Sequence, residues 1–153
     1  MDTQTSSVAA PSTPVTVCTN PATGEVIAEY PLNTVEDVVT AVKNARLAQP
    51  AWQALPVKRR AKYVMKFAEY IQKHSTELAE TISRDNGKTV VDAMFTEVAP
   101  AALATGYYCK NAARFLKDRK LRSGNLILMY KRSRIVRVPY GVVCIISPWN
   151  YPF

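Results

Sequence analysis

Histidine is almost missing from this chain. His74 is its single imidazole, and only three cysteines accompany it: Cys18, Cys109 and Cys144. No two of them stand at a metal-ligand or redox-pair spacing, which argues against a structural zinc site or a dithiol couple. The odd count speaks against a disulfide framework and for reduced thiols, so a cytoplasmic location is expected. His74 lies in QKHST, near the end of an expected helix. There it reads as a solvated residue at the negative end of the helix dipole rather than a catalytic one. Long apolar runs are also lacking, and none reaches the length that spans a bilayer, so no membrane partner is expected. The opening residues MDTQTSSVAAPSTPVTV have neither a basic stretch nor a continuous apolar run, so they do not read as a secretory signal, and they are poor in arginine for a transit peptide. Residues 1–16 read as a flexible arm.

What is present is ordinary for a globular protein: 48% hydrophobic and 21% charged residues in a chain of 153, enough to bury a core. By length it is one domain. The net charge of +8 comes from three basic clusters, Lys58-Arg59-Arg60-Lys62, Lys117-Arg119-Lys120-Arg122 and Lys131-Arg132-Arg134-Arg137. A nucleic-acid surface and solvated helix faces and strand edges both fit such a balance. No nucleic-acid motif accompanies the charge and the clusters lie far apart in sequence, so no nucleic-acid partner is expected.

Asn20-Pro21-Ala22-Thr23-Gly24-Glu25 separates two β-prone runs, Val15–Thr19 and Val26–Tyr30. Proline early and glycine late suit a hairpin loop. Thr34-Val35-Glu36-Asp37 is a capping-box variant that opens a helix. Val35, Val38, Val39, Val42 and Ala45 share its apolar face; Pro50 is expected to end it and Trp52 to follow as a core anchor. A second helix is expected over Val57–Lys73, with Ala61, Val64, Met65, Ala68 and Ile71 as its stripe. A third begins near Ser75, carries Leu78, Ala79 and Ile82, and stops at Asn86-Gly87, a left-handed C-cap pair. A fourth spans about Met94–Lys117, with Pro100 in it or near its start.

The pattern then turns to β. Leu126–Tyr130 and Ser133–Val138 are strand-like, and the second alternates apolar with basic residues, as a strand with one wet face does. Val142–Ile146 is continuously apolar, as in a parallel strand covered on both faces. The order is hairpin, four helices, two-stranded arm and one buried strand, an α/β class. A parallel strand needs neighbours and covering helices. Nothing after Phe153 supplies them, so the chain reads as cut at the start of a domain.

Ser147-Pro148-Trp149-Asn150 follows that strand, where α/β proteins place ligands. Asn150 offers an amide with two N–H donors on a rigid turn, which is what an oxyanion hole requires. Read from the residues alone, Trp149 as core and Asn150 as a turn residue is the favoured reading.

The segment GVVCIISPWNYPF resembles the strand-and-turn signature of the NAD(P)-dependent aldehyde dehydrogenase superfamily. The resemblance extends over residues 17–153. Asn20-Pro21-Ala22-Thr23-Gly24-Glu25-Val26-Ile27 is similar to that family's N-terminal hairpin. Ala51-Trp52, Lys58-Arg59-Arg60 and Asp85-Asn86-Gly87-Lys88 fit as well, although Thr89 stands where many members have proline. The resemblance implies the N-terminal part of an aldehyde dehydrogenase-like fold. Residues 17–122 would begin the cofactor-binding domain, 123–138 would form strands of an oligomerisation arm, and 139–153 would hold the first strand and turn of a Rossmann-type parallel sheet. It implies NAD or NADP as cofactor, a small-molecule aldehyde as substrate and a homo-oligomer when full length. In that family a cysteine thiolate attacks the aldehyde to give a thiohemiacetal, hydride passes to the nicotinamide, and a water activated by a glutamate releases the acid. By resemblance Asn150 would help hold the oxyanion, and Ile146, Ser147, Pro148 and Trp149 would line the cofactor pocket.

The nucleophilic cysteine, the general-base glutamate and a later glycine-containing cofactor motif of that family lie downstream of this turn. None of the chain's cysteines takes the nucleophile's place; Cys144 falls in the apolar run, where burial would raise its pKa. The expectation is therefore the N-terminal third of an enzyme, inactive by itself. The alternative is a naturally truncated, non-catalytic protein that associates with full-length subunits through its strand edges.

Overall fold

The computed structural model describes residues 14–122 and 124–153. Most of the expected arm, residues 1–13, lies outside the described residues. Mixed helix and strand are present as expected. The hairpin forms from β1 (Val15–Thr19) and β2 (Val26–Pro31), antiparallel with Val17 opposite Glu29. Its turn is held locally: the Ala22 N–H donates to the Asn20 side chain at 2.9 Å and the Gly24 N–H to the Asn20 carbonyl at 2.8 Å. Gly24 sits at φ 75°, a conformation that glycine reaches without strain.

Helix α1 (Val35–Ala54) starts at the expected capping box. The Asp37 N–H donates to Thr34 Oγ1 at 3.1 Å, and the Thr34 N–H donates to Asp37 Oδ2 at 2.8 Å. The backbone bond from Thr34, and then its hydroxyl, hold the Asp37 carboxyl below its ordinary pKa. A depressed folded-state pKa gives a contribution that is complete above the unfolded carboxylate pKa. It is lost as pH falls through the folded one. Thr34→Ala should therefore flatten the acid dependence of helix content, followed by far-UV circular dichroism against pH. Superimposable acid profiles for the two proteins would count against the box.

Two expectations for this region need correction. Pro50 does not end α1 but lies inside it. The proline removes one hydrogen bond, and no residue of α1 is buried, so the loss falls on a solvated helix. Trp52 is not a core anchor: it is 40% exposed, its ring tilted against Tyr63 at 6.0 Å.

Helices α2 (Val57–Lys73) and α3 (Ser75–Asn86) match the expected spans. His74 joins them, its Nδ1 within 2.9 Å of Glu77 Oε2 and its ring stacked on Tyr70. Gly87 closes α3 in the left-handed conformation at φ 81°. The core gathers Ile71 from α2 and Ala79 and Ile82 from α3, with Ala93, Val98 and Ala102 from the segment that follows. Ile71 is fully buried. Ile71→Ala should cost about 2–5 kcal/mol in denaturant unfolding, since the site can collapse only partly around the lost atoms. A loss well under 1 kcal/mol would show that Ile71 is not central to this core.

The expected fourth helix is a composite. Thr89 caps a short helix α4 (Val90–Ala93) by accepting from the Asp92 N–H at 3.0 Å. A π-helical turn, Met94–Val98, follows, and then α5 (Ala99–Phe115). The cause is Pro100, which has no N–H and whose ring collides with the carbonyl four residues back. The wider turn relieves that collision, and the Ala99 N–H reaches the Met94 carbonyl instead. Here the adjacent residues Glu97 and Val98 both face inward, 5% and 1% exposed.

Beyond α5 the arm differs from expectation. Leu126–Tyr130 is not a strand: Leu126–Leu128 is a 3₁₀ turn, whose Ile127 N–H donates to the Asn125 side chain at 2.9 Å. That side-chain bond overrides the β propensity of the apolar run. The arm instead pairs β3 (Arg119–Leu121) with β4 (Ser133–Ile135), antiparallel. Val142–Ile146 joins no strand among the described residues, and Ile145 and Ile146 are 84% and 89% exposed. An apolar run becomes a parallel strand only against a neighbouring ladder, and none is provided here. Cys144 is exposed rather than buried in a strand. Among the described residues no helix is long and apolar enough to cross a membrane.

Candidate functional site

Pro148–Tyr151 forms a tight turn, closed by the Tyr151 N–H donating to the Pro148 carbonyl at 3.2 Å. Two side chains from the end of α3 and the loop behind it reach across to this turn. Asn86 Nδ2 donates to the Trp149 carbonyl at 2.9 Å. Lys88 Nζ donates to the Asn150 carbonyl at 2.9 Å and stands 4.4 Å from the centre of the Tyr151 ring. Gly87 lies between them in the left-handed conformation. A Cβ there would meet Pro21 Cγ at 2.8 Å, so conformation and space both require glycine.

The same Lys88 ammonium forms an ion pair with Glu97 Oε1. The other carboxylate oxygen, Oε2, accepts the Phe153 N–H at 3.0 Å. The Glu97 side chain is 1% exposed and that of Lys88 15%. A buried carboxylate needs both a counter-charge and hydrogen-bond donors. Lys88 and the Phe153 amide supply them. Ser83 Oγ fixes the loop by donating to the Lys88 carbonyl at 2.7 Å.

The expected site residues are brought together, but on the outside. Ile146 and Trp149 are 89% and 87% exposed, and Ser147, Pro148 and Asn150 are exposed as well. Trp149 lies outside the core that the described residues form. Among the described residues none hydrogen-bonds the Asn150 side chain. A cleft of about 390 Å³ opens nearby, between the hairpin, α3 and the last two residues. Its walls include Ile27, Tyr30, Ile82, Pro152 and Phe153, and none of the expected site residues.

Sequence reasoning missed the roles of Asn86, Lys88 and Glu97. Asp85-Asn86-Gly87-Lys88 was legible as a helix end and as part of the resemblance, with no role attached to Asn86 or Lys88. Glu97 did carry a signal: it is the sole charge between Asp92 and Lys110. A lone carboxylate in an apolar helix asks for a cation to meet it.

A family model described as the aldehyde dehydrogenase family matches residues 8–153. Among curated relatives, malonate-semialdehyde dehydrogenase 2 of Oceanobacillus iheyensis is 35% identical over 133 residues, covering 87% of this chain and 26% of the relative. The 4,4'-diapolycopene aldehyde oxidase of a Methylomonas species is 32% identical over 134 residues, covering 88% and 25%. Among solved structures, an NAD-dependent benzaldehyde dehydrogenase from Corynebacterium glutamicum superposes with a TM-score of 0.79 at 31% identity, covering 92% of this chain and 30% of that one. The chain thus spans about a quarter of the length of the curated relatives it matches.

Proposed function

The chain belongs to the aldehyde dehydrogenase family, and from that premise we infer that it is the N-terminal portion of an enzyme that oxidises an aldehyde to a carboxylic acid with NAD or NADP. The observation that carries this reading is the braced turn with an uncommitted amide. The backbone carbonyls of Trp149 and Asn150 are taken up by Asn86 and Lys88. The Asn150 side chain is left exposed on a fixed backbone. A donor aimed in advance stabilises an oxyanion without reorganising as charge develops.

The residues beside it suit a dinucleotide. Ile146 and Trp149 present apolar surface to the outside, Trp149 as a flat ring, Ser147 adds a hydroxyl, and Pro148 stiffens the backbone between them. When bound, NAD or NADP supplies the hydride acceptor. The chain's own part is to hold that group against Ile146–Trp149 and to donate from Asn150 to the substrate oxygen. In this reading residues 17–122 belong to the cofactor-binding domain and 139–153 to its sheet. Residues 123–138, which carry β4 with Ile135 exposed, serve subunit association in a homo-oligomer. The nucleophile and the general base lie outside these residues, so the 153-residue chain alone is inactive.

The test is reduced-cofactor formation by the intact protein, with NAD and with NADP, across an aldehyde panel that includes malonate semialdehyde and benzaldehyde. Turnover with any member supports the reading. No turnover with any of them overturns it.

A further inference from the structure

Three groups flanking Asn150 are held by side chains from another part of the chain: the Trp149 carbonyl by Asn86, the Asn150 carbonyl by Lys88, and the Phe153 N–H by Glu97. The turn's own bond, from Tyr151 to Pro148, is a single contact of 3.2 Å. One such contact at an exposed turn leaves the backbone free to fluctuate. We propose that Lys88 and Glu97 are positioning residues that lock the 149–153 backbone and so aim the Asn150 amide. The proposal rests on the reading of Asn150 as an oxyanion donor and goes beyond it by naming what fixes its direction.

The division of labour follows from the chemistry. Glu97 is the fixed base: its carboxylate is buried, and it stands on the π-helical turn whose neighbours Ala93, Val98 and Ala102 form the core. Lys88 is the link. An ammonium carries three donors that turn freely about one point; here one meets Glu97, one meets the Asn150 carbonyl, and the charge rests against the Tyr151 ring. Glu97 then holds the far end of the turn directly through Phe153. A donor performs as part of an oxyanion hole only within about 0.5 Å and 10–20° of its productive geometry, and its backbone sets that geometry.

The test uses the intact protein in four forms: unsubstituted, Asn150→Ala, the paired replacement Lys88→Met with Glu97→Gln, and all three changes together. The paired replacement removes both charges at once, so it leaves no unpaired buried ion and keeps a side-chain oxygen for the Phe153 N–H. It is expected to lower kcat by about 10- to 100-fold, the scale of a misplaced catalytic group, with kcat/KM for the aldehyde falling equally. In the Asn150→Ala background the same pair should lower kcat by less than about twofold, because the residue it aims is already gone. Undiminished kcat, or an equal loss in both backgrounds, overturns the proposal. Hydrogen exchange at the Tyr151 and Phe153 amides gives a second reading that needs no turnover. Exchange there should quicken in the paired variant while the helix α2 amides stay protected; unchanged exchange overturns the proposal. An unsubstituted protein that oxidises no aldehyde defeats the enzymatic reading alone, and exchange still decides whether Lys88 and Glu97 hold the turn.

Discussion

Asn150→Ala is expected to lower kcat of the intact enzyme by about 10²–10³, the cost of removing one oxyanion donor. The aldehyde oxygen bears little charge on binding and a full negative charge once a thiolate has added to its carbon. A hydrogen bond to that oxygen is therefore far stronger in the transition state than in the ground state. Its loss should appear in kcat and in kcat/KM together, with the aldehyde KM little changed. The exposed position of Asn150 makes a large structural penalty for the alanine implausible, so the variant should fold and bind cofactor normally. Steady-state kinetics on whichever aldehyde the unsubstituted enzyme turns over best gives the answer. Undiminished turnover would remove Asn150 from the mechanism.

The second large effect concerns stability. Lys88→Met alone should cost about 3–5 kcal/mol, the scale of breaking a buried ion pair from one side. Glu97 would keep only the Phe153 N–H as a partner, with its side chain 1% exposed. Adding Glu97→Gln to Lys88→Met should restore most of the loss, because the neutral amide carries no charge to desolvate. The comparison is made from urea midpoints at unchanged slope. Equal destabilisation by the single and the paired change would show that the charge on Glu97 is not what Lys88 serves.

Local chemistry made much of this fold legible in sequence. The Thr34 box, the α2 and α3 spans, the Asn20–Glu25 turn and the Gly87 cap each depend on a few neighbouring residues, and each stands where the pattern put it. The misses required distant information. Whether Val142–Ile146 pairs depends on strands that must lie beside it, not on its own apolarity. Leu126–Leu128 was decided by one Asn125 side-chain bond. Pro50 was read as a stop from its own chemistry alone, but α1 bears the lost bond because no residue of the helix is buried. At the candidate site, Ile146–Asn150 were legible as a group through resemblance and as a turn through their prolines. Lys88 and Glu97 were not, because their partners lie far along the chain and meet only after α3 and the π-helical turn have folded.

The contact between Gly87 and Pro21 gives the hairpin a further role. Pro21 belongs to the β1–β2 turn, and it rests where a side chain on residue 87 would have to go. Residues 86 and 88, on either side, hold the Trp149 and Asn150 carbonyls. On the proposed reading of Asn150, the hairpin turn would act as a distal mechanical support for a reaction that it never touches. Variation at Pro21 would be read as surface drift in a loop, yet it would act on the aim of Asn150. If Asn150 acts as proposed, tolerance to change in the N-terminal hairpin would be set by catalysis as much as by folding.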